Sequence, residues 1–403
     1  MSTLMVLGAG DEHLHVIRAA KGLKHRVIVV DPDPTRPGVA LGDAHVACSL
    51  LDIAAVLDAA CAHHIDGITT ASLGIGMRTI GAVAEALDLP GLRRDSAYAV
   101  TDKIVMHERL RGAQVDDLPY RVAVDVASAQ RAVHELGLPV VVKPADGSGS
   151  RGVRVVRDED EIVHAYQGAV TQTRSPERGT QVLIEAFIDG DDLNGDGFIV
   201  DGVVHVVTLR AAAMTPLPHR QEVGYLFPPP ISPQTEQAVM TLLARVTRAL
   251  ALDNTPFHVD MKIRPDGQPA LIEIGARLPG YGLSTDFIPH ATGLDVARTS
   301  VMLALGQPLD LGTLRRTPTC MFFLQPKTGK IVSGIDLAGL RARPGVVAVY
   351  SKLKPGDIVE PVIDGATALH QGYIVTTAST VEQAHQQANA AAHWFYEQLI
   401  YTP

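Results

Sequence analysis

The sequence predicts an α/β and α+β protein, with an N-terminal parallel sheet under helices, a small central module and a larger C-terminal domain built on hairpins. Apolar runs of strand length alternate with helical stretches from residue 3 to residue 90, the pattern of a parallel, helix-covered sheet. From about Pro119 that alternation gives way to short strands grouped around two helices. Farther on, Asp201-Gly202 and Asp266-Gly267 each separate strand-like runs, and Asp-Gly is a strong signal for a two-residue hairpin turn.

The first unit, residues 1–115, places strands over 3–8 (TLMVLG) and 26–31 (RVIVVD) around a helix near 12–23. A helix near 52–63, a strand over 66–71 and a helix near 76–88 repeat the pattern, and a further helix is headed by Thr101-Asp102. The central module, 116–188, takes strands over 120–124, 139–143, 152–156 and 181–187, with helices over 127–137 and 158–169. Asp158 with Glu161 three residues on is the spacing of a capping box. The C-terminal domain, 189–403, holds both hairpins and a helix over 233–251. Between them runs a long proline-rich loop (Pro216, Pro218, Pro228 to Pro230), of a kind more often functional than idle. From about 320 a subdomain of further β structure ends in an amphipathic helix over 380–397.

Composition narrows the function classes. A hydrophobic content of 46% with 20% charged residues is that of a globular protein, and a net charge of −9 argues against nucleic acid or an anionic membrane as partner. No stretch approaches the ~20 apolar residues of a membrane span. The N-terminus lacks a basic region and cleavage site, so a cytoplasmic location is expected. Cys48, Cys61 and Cys320 are far apart and odd in number, which reads as reduced core residues.

Two stretches carry chemistry. In PVVVKPADGSGSRGVRVV (139–156) a strand delivers Lys143 into a loop with Gly147, Gly149 and Gly152, and a second strand follows. Glycines permit positive φ and close backbone approach, so their N–H groups can serve phosphate oxygens beside the lysine charge. β periodicity on both sides makes this a flexible flap and not the strand–loop–helix of a Walker loop. In FHVDMKIRPDGQPALIEIGAR (257–277), a two-residue turn at Asp266-Gly267 sets Asp260 opposite Glu273, with His258 and Lys262 on the same face. Val259, Met261, Ile263, Ala270, Ile272 and Ile274 then make the other face apolar. A three-residue turn would shift the register by one and spoil that pairing. Facing carboxylates repel unless something sits between them, and Mg²⁺ prefers one or two protein carboxylates with substrate phosphates. Arg277 falls on the same parity, where it could hold a transferring phosphoryl group.

A phosphate flap on one module and a carboxylate hairpin on another resemble the ATP-grasp fold, and the chain is similar to carboxylate–amine ligases of the L-amino-acid ligase kind. The resemblance covers nearly the whole length. It implies an N-terminal parallel-sheet preATP-grasp domain, a central lid module and a C-terminal ATP-grasp and metal domain. By that resemblance Lys103 and Lys143 contact nucleotide phosphates, and 146–152, with Ser148, Gly149 and Ser150, is the flap. Glu185 and the backbone near Phe187 face the adenine, and Asp192 takes the ribose hydroxyls. Asp260 and Glu273 are the magnesium ligands, with Mn²⁺ as a substitute, and Arg277 steadies the acyl phosphate. Asp260 stands where Glu is usual, and Gly275 where Asn is often found. In the proline-rich loop, Arg220, Glu222 and Tyr225 resemble a substrate-recognition segment. The implied partners are a small carboxylate and an amine, with ATP as cofactor; the sequence leaves the assembly open, a homodimer among the choices.

Three other readings compete. Gly8-Ala9-Gly10 with Asp31 is a partial dinucleotide fingerprint, but His13 holds the third glycine position and a dehydrogenase leaves the carboxylate hairpin unexplained. An ATP-grasp carboxylase would use bicarbonate as the acid. A non-catalytic nucleotide-binding module would leave a full set of charged residues without work.

Overall fold

In the computed structural model residues 1–115, 118–309 and 311–402 are described, so the expected start of the central module at 116 lies outside the described residues. The N-terminal sheet is parallel throughout, in the order β3-β2-β1-β4, from β1 (Thr3–Leu7), β2 (Arg26–Val30), β3 (Ala44–Val46) and β4 (Gly67–Thr69). From Leu4 to Leu7 and from Val27 to Val30 every residue is buried, as expected of strands covered on both faces. Short β3 carries little apolar signal and escapes sequence reading. The helix Lys103–Gly112 is capped by Asp102, whose carboxylate accepts the Val105 N–H at 3.1 Å and the Arg178 Nε–H at 2.6 Å. That cap fixes where Lys103 leaves the helix start.

The central module is an antiparallel sheet in the order β5-β8-β6-β7, from β5 (Tyr120–Ala123), β6 (Val140–Pro144), β7 (Arg154–Val156) and β8 (Val182–Ala186). Helices Val126–Leu136 and Ile162–Val170 cover one face with Ala129, Val133, Ile162, Ala165 and Ala169. The capping box expected at Asp158 does not form. The Asp158 carboxylate accepts from the Asp160 N–H within a single 3-10 turn, and Glu161 accepts instead from the Arg157 N–H at 3.0 Å.

An eight-stranded sheet organises the C-terminal domain, in the order β13-β12-β9-β10-β11-β14-β18-β16. Its strands are β9 (Asp191–Val200), β10 (Val203–Met214), β11 (Glu222–Phe227), β12 (Thr255–Ile263), β13 (Pro269–Gly275) and β14 (Thr319–Phe323), completed by β16 (Val346–Tyr350) and β18 (Tyr373–Thr377). A three-stranded sheet pairs β15 (Gly329–Ser333) with β17 (Ile358–Val359) and β19 (Ile400–Tyr401). Part of the expected proline-rich loop is therefore strand: β11 runs through it and carries Glu222 and Tyr225 into the sheet.

The two Asp-Gly turns differ. At Asp201-Gly202 both residues have positive φ (50° and 74°) and Val200 pairs with Val203, the two-residue turn expected. At Asp266-Gly267 the loop has three residues. The Arg264 N–H reaches the Gln268 carbonyl at 2.9 Å, the Gly267 N–H reaches the Arg264 carbonyl at 2.8 Å, and only Gly267 is left-handed, at +81°. Near the turn the register is accordingly shifted, with Met261 opposite Leu271. A bulge at Ile272 then adds one residue to β13 and restores Asp260 opposite Glu273. The bulge also moves Ile272 off the apolar face expected for it and into the cleft beside Glu273, while Leu271 takes its place in the core.

Among the described residues no helix is long and apolar enough to cross a membrane. Cys320 is buried, but Cys61 is exposed on the outer side of its helix, so it is no core residue.

Candidate active site

The residues that the resemblance assigns to the ligand site line one cleft between the central module and the eight-stranded sheet: Lys103, Lys143, Ser148, Gly149, Ser150, Glu185, Phe187, Asp192, Glu222, Tyr225, Asp260, Glu273 and Arg277. What the structure adds is their partners.

On the module side, β6 and β8 pair Val141 with Glu185, two residues before Lys143 and on the same face of β6. The lysine ion-pairs with Glu185, and the other Glu185 oxygen meets His107 Nε2 at 2.9 Å. Both Lys143 and Glu185 are buried. Burial alone would raise the Glu185 carboxyl, but Lys143 and then His107 outweigh it and bring it down to about 2. Glu185 is thus the buried counter-ion that orients Lys143, a different position from one facing an adenine. The Phe187 N–H is also committed, to the Pro139 carbonyl at 3.1 Å. The flap between β6 and β7 has three left-handed residues in four, Gly149, Ser150 and Gly152. Lys103 bridges the two halves: its Nζ donates to the Gly147 carbonyl at 2.9 Å and to Glu273 Oε1 at 3.0 Å.

On the sheet side, β9 lies beside β12, setting Asn194 opposite Asp260 and Asp196 opposite His258. Asn194 Nδ2 donates to Asp260 Oδ1, and His258 Nε2 lies 3.3 Å from the same oxygen. His258 Nδ1 is 2.8 Å from Asp196 Oδ1, while Asp196 Oδ2 takes Thr208 Oγ1 at 2.8 Å and the Arg210 guanidinium. Burial works against charge on His258, yet Asp260 and Asp196 outweigh it and lift its pKa to about 9. Asp192 does not stand open for a ribose. It is clamped by Arg220 Nη2 at 2.5 and 2.6 Å and by Lys262 Nζ at 3.1 Å.

Beyond the carboxylates, Glu222 is pushed up to about 7, by burial first and then by the Asp260 charge. Tyr225 is buried, with Phe287 and Phe323 edge-on at 6.2 and 6.1 Å and the Arg210 guanidinium 4.8 Å above its ring. It is thereby a wall of the cleft and not a free polar contact. Arg277 Nη1 donates to the Leu278 carbonyl at 2.9 Å, which aims the guanidinium along the cleft. Sequence reasoning missed His107, Asn194, Asp196 and Arg210, and also Glu12, which reaches the Tyr281 N–H at 3.2 Å from the N-terminal domain. Alternation along 191–210 marks the right faces, but which strand lies beside which is not written there.

A divalent cation fits this donor set. Asp260 and Glu273 face each other, and among the described residues no cluster of three or more His, Cys, Asp or Glu side chains forms a closed cage. Two open carboxylates suit Mg²⁺, which completes its shell with phosphate and water. The dinucleotide reading fails on geometry, because the His13 ring packs directly over Gly8, where a pyrophosphate would need room.

The fold agrees with known proteins. The pattern described as ATP-grasp domain matches residues 136–286, which contain the flap and both facing carboxylates. This chain contains an ATP-grasp domain. A second pattern, L-amino acid ligase C-terminal domain 2, matches residues 321–393. The chain is 28% identical to the uncharacterized protein y4rH of Sinorhizobium fredii over 96% of this chain and 83% of that one. It is 27% identical to a formate-dependent phosphoribosylglycinamide formyltransferase of Anaeromyxobacter dehalogenans, over 87% and 89% of the two chains. The solved L-amino acid ligase of Bacillus licheniformis superposes with a TM-score of 0.81 at 20% identity, covering 100% of this chain and 99% of the other. The likeness of fold takes in the whole architecture, from parallel sheet to central module to carboxylate hairpin.

Proposed function

We propose that this ATP-grasp ligase activates a small carboxylic acid or amino acid as its acyl phosphate and transfers the acyl group to an amine, releasing ADP and phosphate. The observation that carries this reading is the single cleft that joins a lysine-bearing glycine flap, two facing carboxylates, an arginine and the half-buried acid Glu222. Bound Mg·ATP, with Mn²⁺ as a substitute, supplies the γ-phosphoryl group and the cationic charge between its oxygens. Asp260 and Glu273 would hold the cation. Lys103, Lys143 and the flap N–H groups around Ser148 to Ser150 hold the phosphates. Arg277 lies where it can steady the phosphoryl oxygens of the acyl phosphate. Glu222, titrating about 7, can accept a proton from an amine as the amide bond forms and phosphate leaves. Closing the flap keeps water from that acyl phosphate.

The test is a pairwise screen of amino acids and small carboxylic acids, scored by phosphate release and by mass spectrometry of the product. The reading expects phosphate release to need Mg²⁺, an acid and an amine, with an amide of the summed mass less water. Phosphate release driven by bicarbonate alone would make the protein a carboxylase. ATP binding without turnover on any pair would leave a nucleotide-binding module.

A further inference from the structure

We propose that His258, backed by Asp196 and Arg210, is a positioning residue that turns the Asp260 carboxylate so that its Oδ2 faces a divalent cation. The proposal rests on the reading above only in taking Asp260 and Glu273 as the cation's ligands.

The sheet register builds this arrangement. β9 runs between β10 and β12, pairing Asp196 with His258 on one side and with Thr208 on the other. Asn194 likewise pairs with Asp260 on one side and with Arg210 on the other. Directly opposed residues on one face of a sheet are close enough for short side chains to meet. A row of contacts therefore crosses three strands, from Arg210 through Asp196 and His258 to Asp260.

The row ends asymmetrically. Both donors that reach Asp260, Asn194 Nδ2 and His258 Nε2, end on Oδ1. Among the described residues, no hydrogen bond or ion pair ends on Oδ2. An aspartate with one oxygen fixed from two directions cannot rotate its carboxyl freely, so the second oxygen holds a set direction in the cleft that Glu273, its cross-strand partner, also lines.

The far end is rigid for a separate reason. Arg210 is 0% exposed, with the Tyr225 and Phe287 rings 4.8 and 5.9 Å from its guanidinium. A buried ion pair is weak support for stability, since desolvation offsets most of its attraction. A chain of them ending on one ligand oxygen does something that stability does not require. Groups that orient metal ligands typically matter 10–100-fold in metal affinity or activity.

The test titrates Mn²⁺ into the full chain with saturating ADP, read by electron paramagnetic resonance, and measures ADP binding in EDTA by calorimetry. His258→Asn, too short to span Asp196 and Asp260, is expected to weaken Mn²⁺ about 10–100-fold. Its ADP affinity in EDTA should stay as in the wild type, and its thermal melt, at a lower midpoint, should stay cooperative. Asp196→Asn, which keeps the shape but removes the charge behind the ring, is expected to lose about tenfold. His258→Gln can place an amide nitrogen where Nε2 stands, so it should retain more cation affinity than His258→Asn, and it decides the matter if His258→Asn does not fold. Wild-type Mn²⁺ affinity in folded His258→Gln and Asp196→Asn would overturn the proposal. So would an equal loss of ADP binding with and without metal, which would mark a general structural role. A wild-type protein whose ADP affinity gains nothing from Mn²⁺ would instead remove Asp260 and Glu273 as ligands, and the ligase reading with them.

Discussion

Two hairpins face each other across the cleft, and they differ in how much of each is held. The flap hairpin pairs only Val140 with Val156, Val141 with Val155 and Val142 with Arg154, and then opens into a loop over 145–153 rich in left-handed residues. The carboxylate hairpin pairs along most of β12 and β13, turns in three residues, and is braced from behind by β9 and β10. In the proposed function the phosphate donors lie on a loop between briefly paired strands, whereas Asp260 and Glu273, which would hold the cation, lie within a longer paired hairpin. Lys103 touches both, through the Gly147 carbonyl and through Glu273, and so couples the moving side to the fixed one.

The sharpest way to break this contrast is at the fixed side. Glu273→Gln should cut Mg²⁺-dependent phosphate release about 10³-fold, or ~4 kcal/mol in barrier, while weakening nucleotide binding only modestly. Activity within tenfold of wild type would remove the carboxylate pair as the cation site. On the module side, Lys143→Met strands the buried Glu185 charge, leaving only His107 beside it. Breaking a buried pair this way costs about 3 kcal/mol or more, so the urea midpoint should fall along with turnover. Lost turnover with an unchanged midpoint would mean that Glu185 does not depend on Lys143.

Sequence alone reached both hairpins because each has a local signature: clustered glycines after a lysine, and alternation around Asp-Gly. It reached the Asp260–Glu273 pairing by way of two errors that cancel. The loop is one residue longer than expected, and the bulge at Ile272 adds one residue back on the same strand. Ile272 is an ordinary strand residue, so nothing in its identity announces a bulge. Glu185 and Asp192 were found, but with the wrong neighbours, because Lys143 and Arg220 reach them through contacts that parity cannot supply. The row behind Asp260 was invisible for a related reason. Asp196 and His258 lie on strands about sixty residues apart, and only the strand order of the sheet makes them partners.

The carboxylate side should also carry a pH response between about 4.5 and about 7. Glu222 titrates about 7 in the folded chain against 4.5 when unfolded, raised by burial and then by Asp260. The folded state therefore holds a proton that the unfolded state releases, so this group costs stability as pH rises from about 4.5 to about 7. Above 7 the cost is constant. In Glu222→Gln that slope is absent, so wild type and variant should diverge by on the order of 1–3 kcal/mol across the window in ligand-free urea melts. Parallel stability curves would place Glu222 in a more solvated setting. The same acid is ionised, and able to take an amine proton, only above about 7, so the rate of amide formation should rise through that pH.

The smallest expected effect tests the moving side. Gly149 has φ +68°, and its carbonyl accepts the Gly365 N–H at 3.2 Å, tying the flap tip to the C-terminal subdomain. A Cβ there would lie 2.7 Å from the Tyr281 hydroxyl. Gly149→Ala should cost the flap's closed form about 1 kcal/mol in backbone strain, and more where the tyrosine cannot shift. A flap that closes less often lets water reach the acyl phosphate, so phosphate should be released in excess of amide, with amide formation down roughly tenfold. Gly202→Ala provides the matched control. It has the same kind of backbone, at φ +74°, in the β9–β10 turn, with no atom within 4 Å of the added carbon. If both variants lose stability but only Gly149→Ala uncouples phosphate from amide, the flap acts as a lid. If neither changes the ratio, the glycines serve phosphate contact alone and some other part of the cleft excludes water.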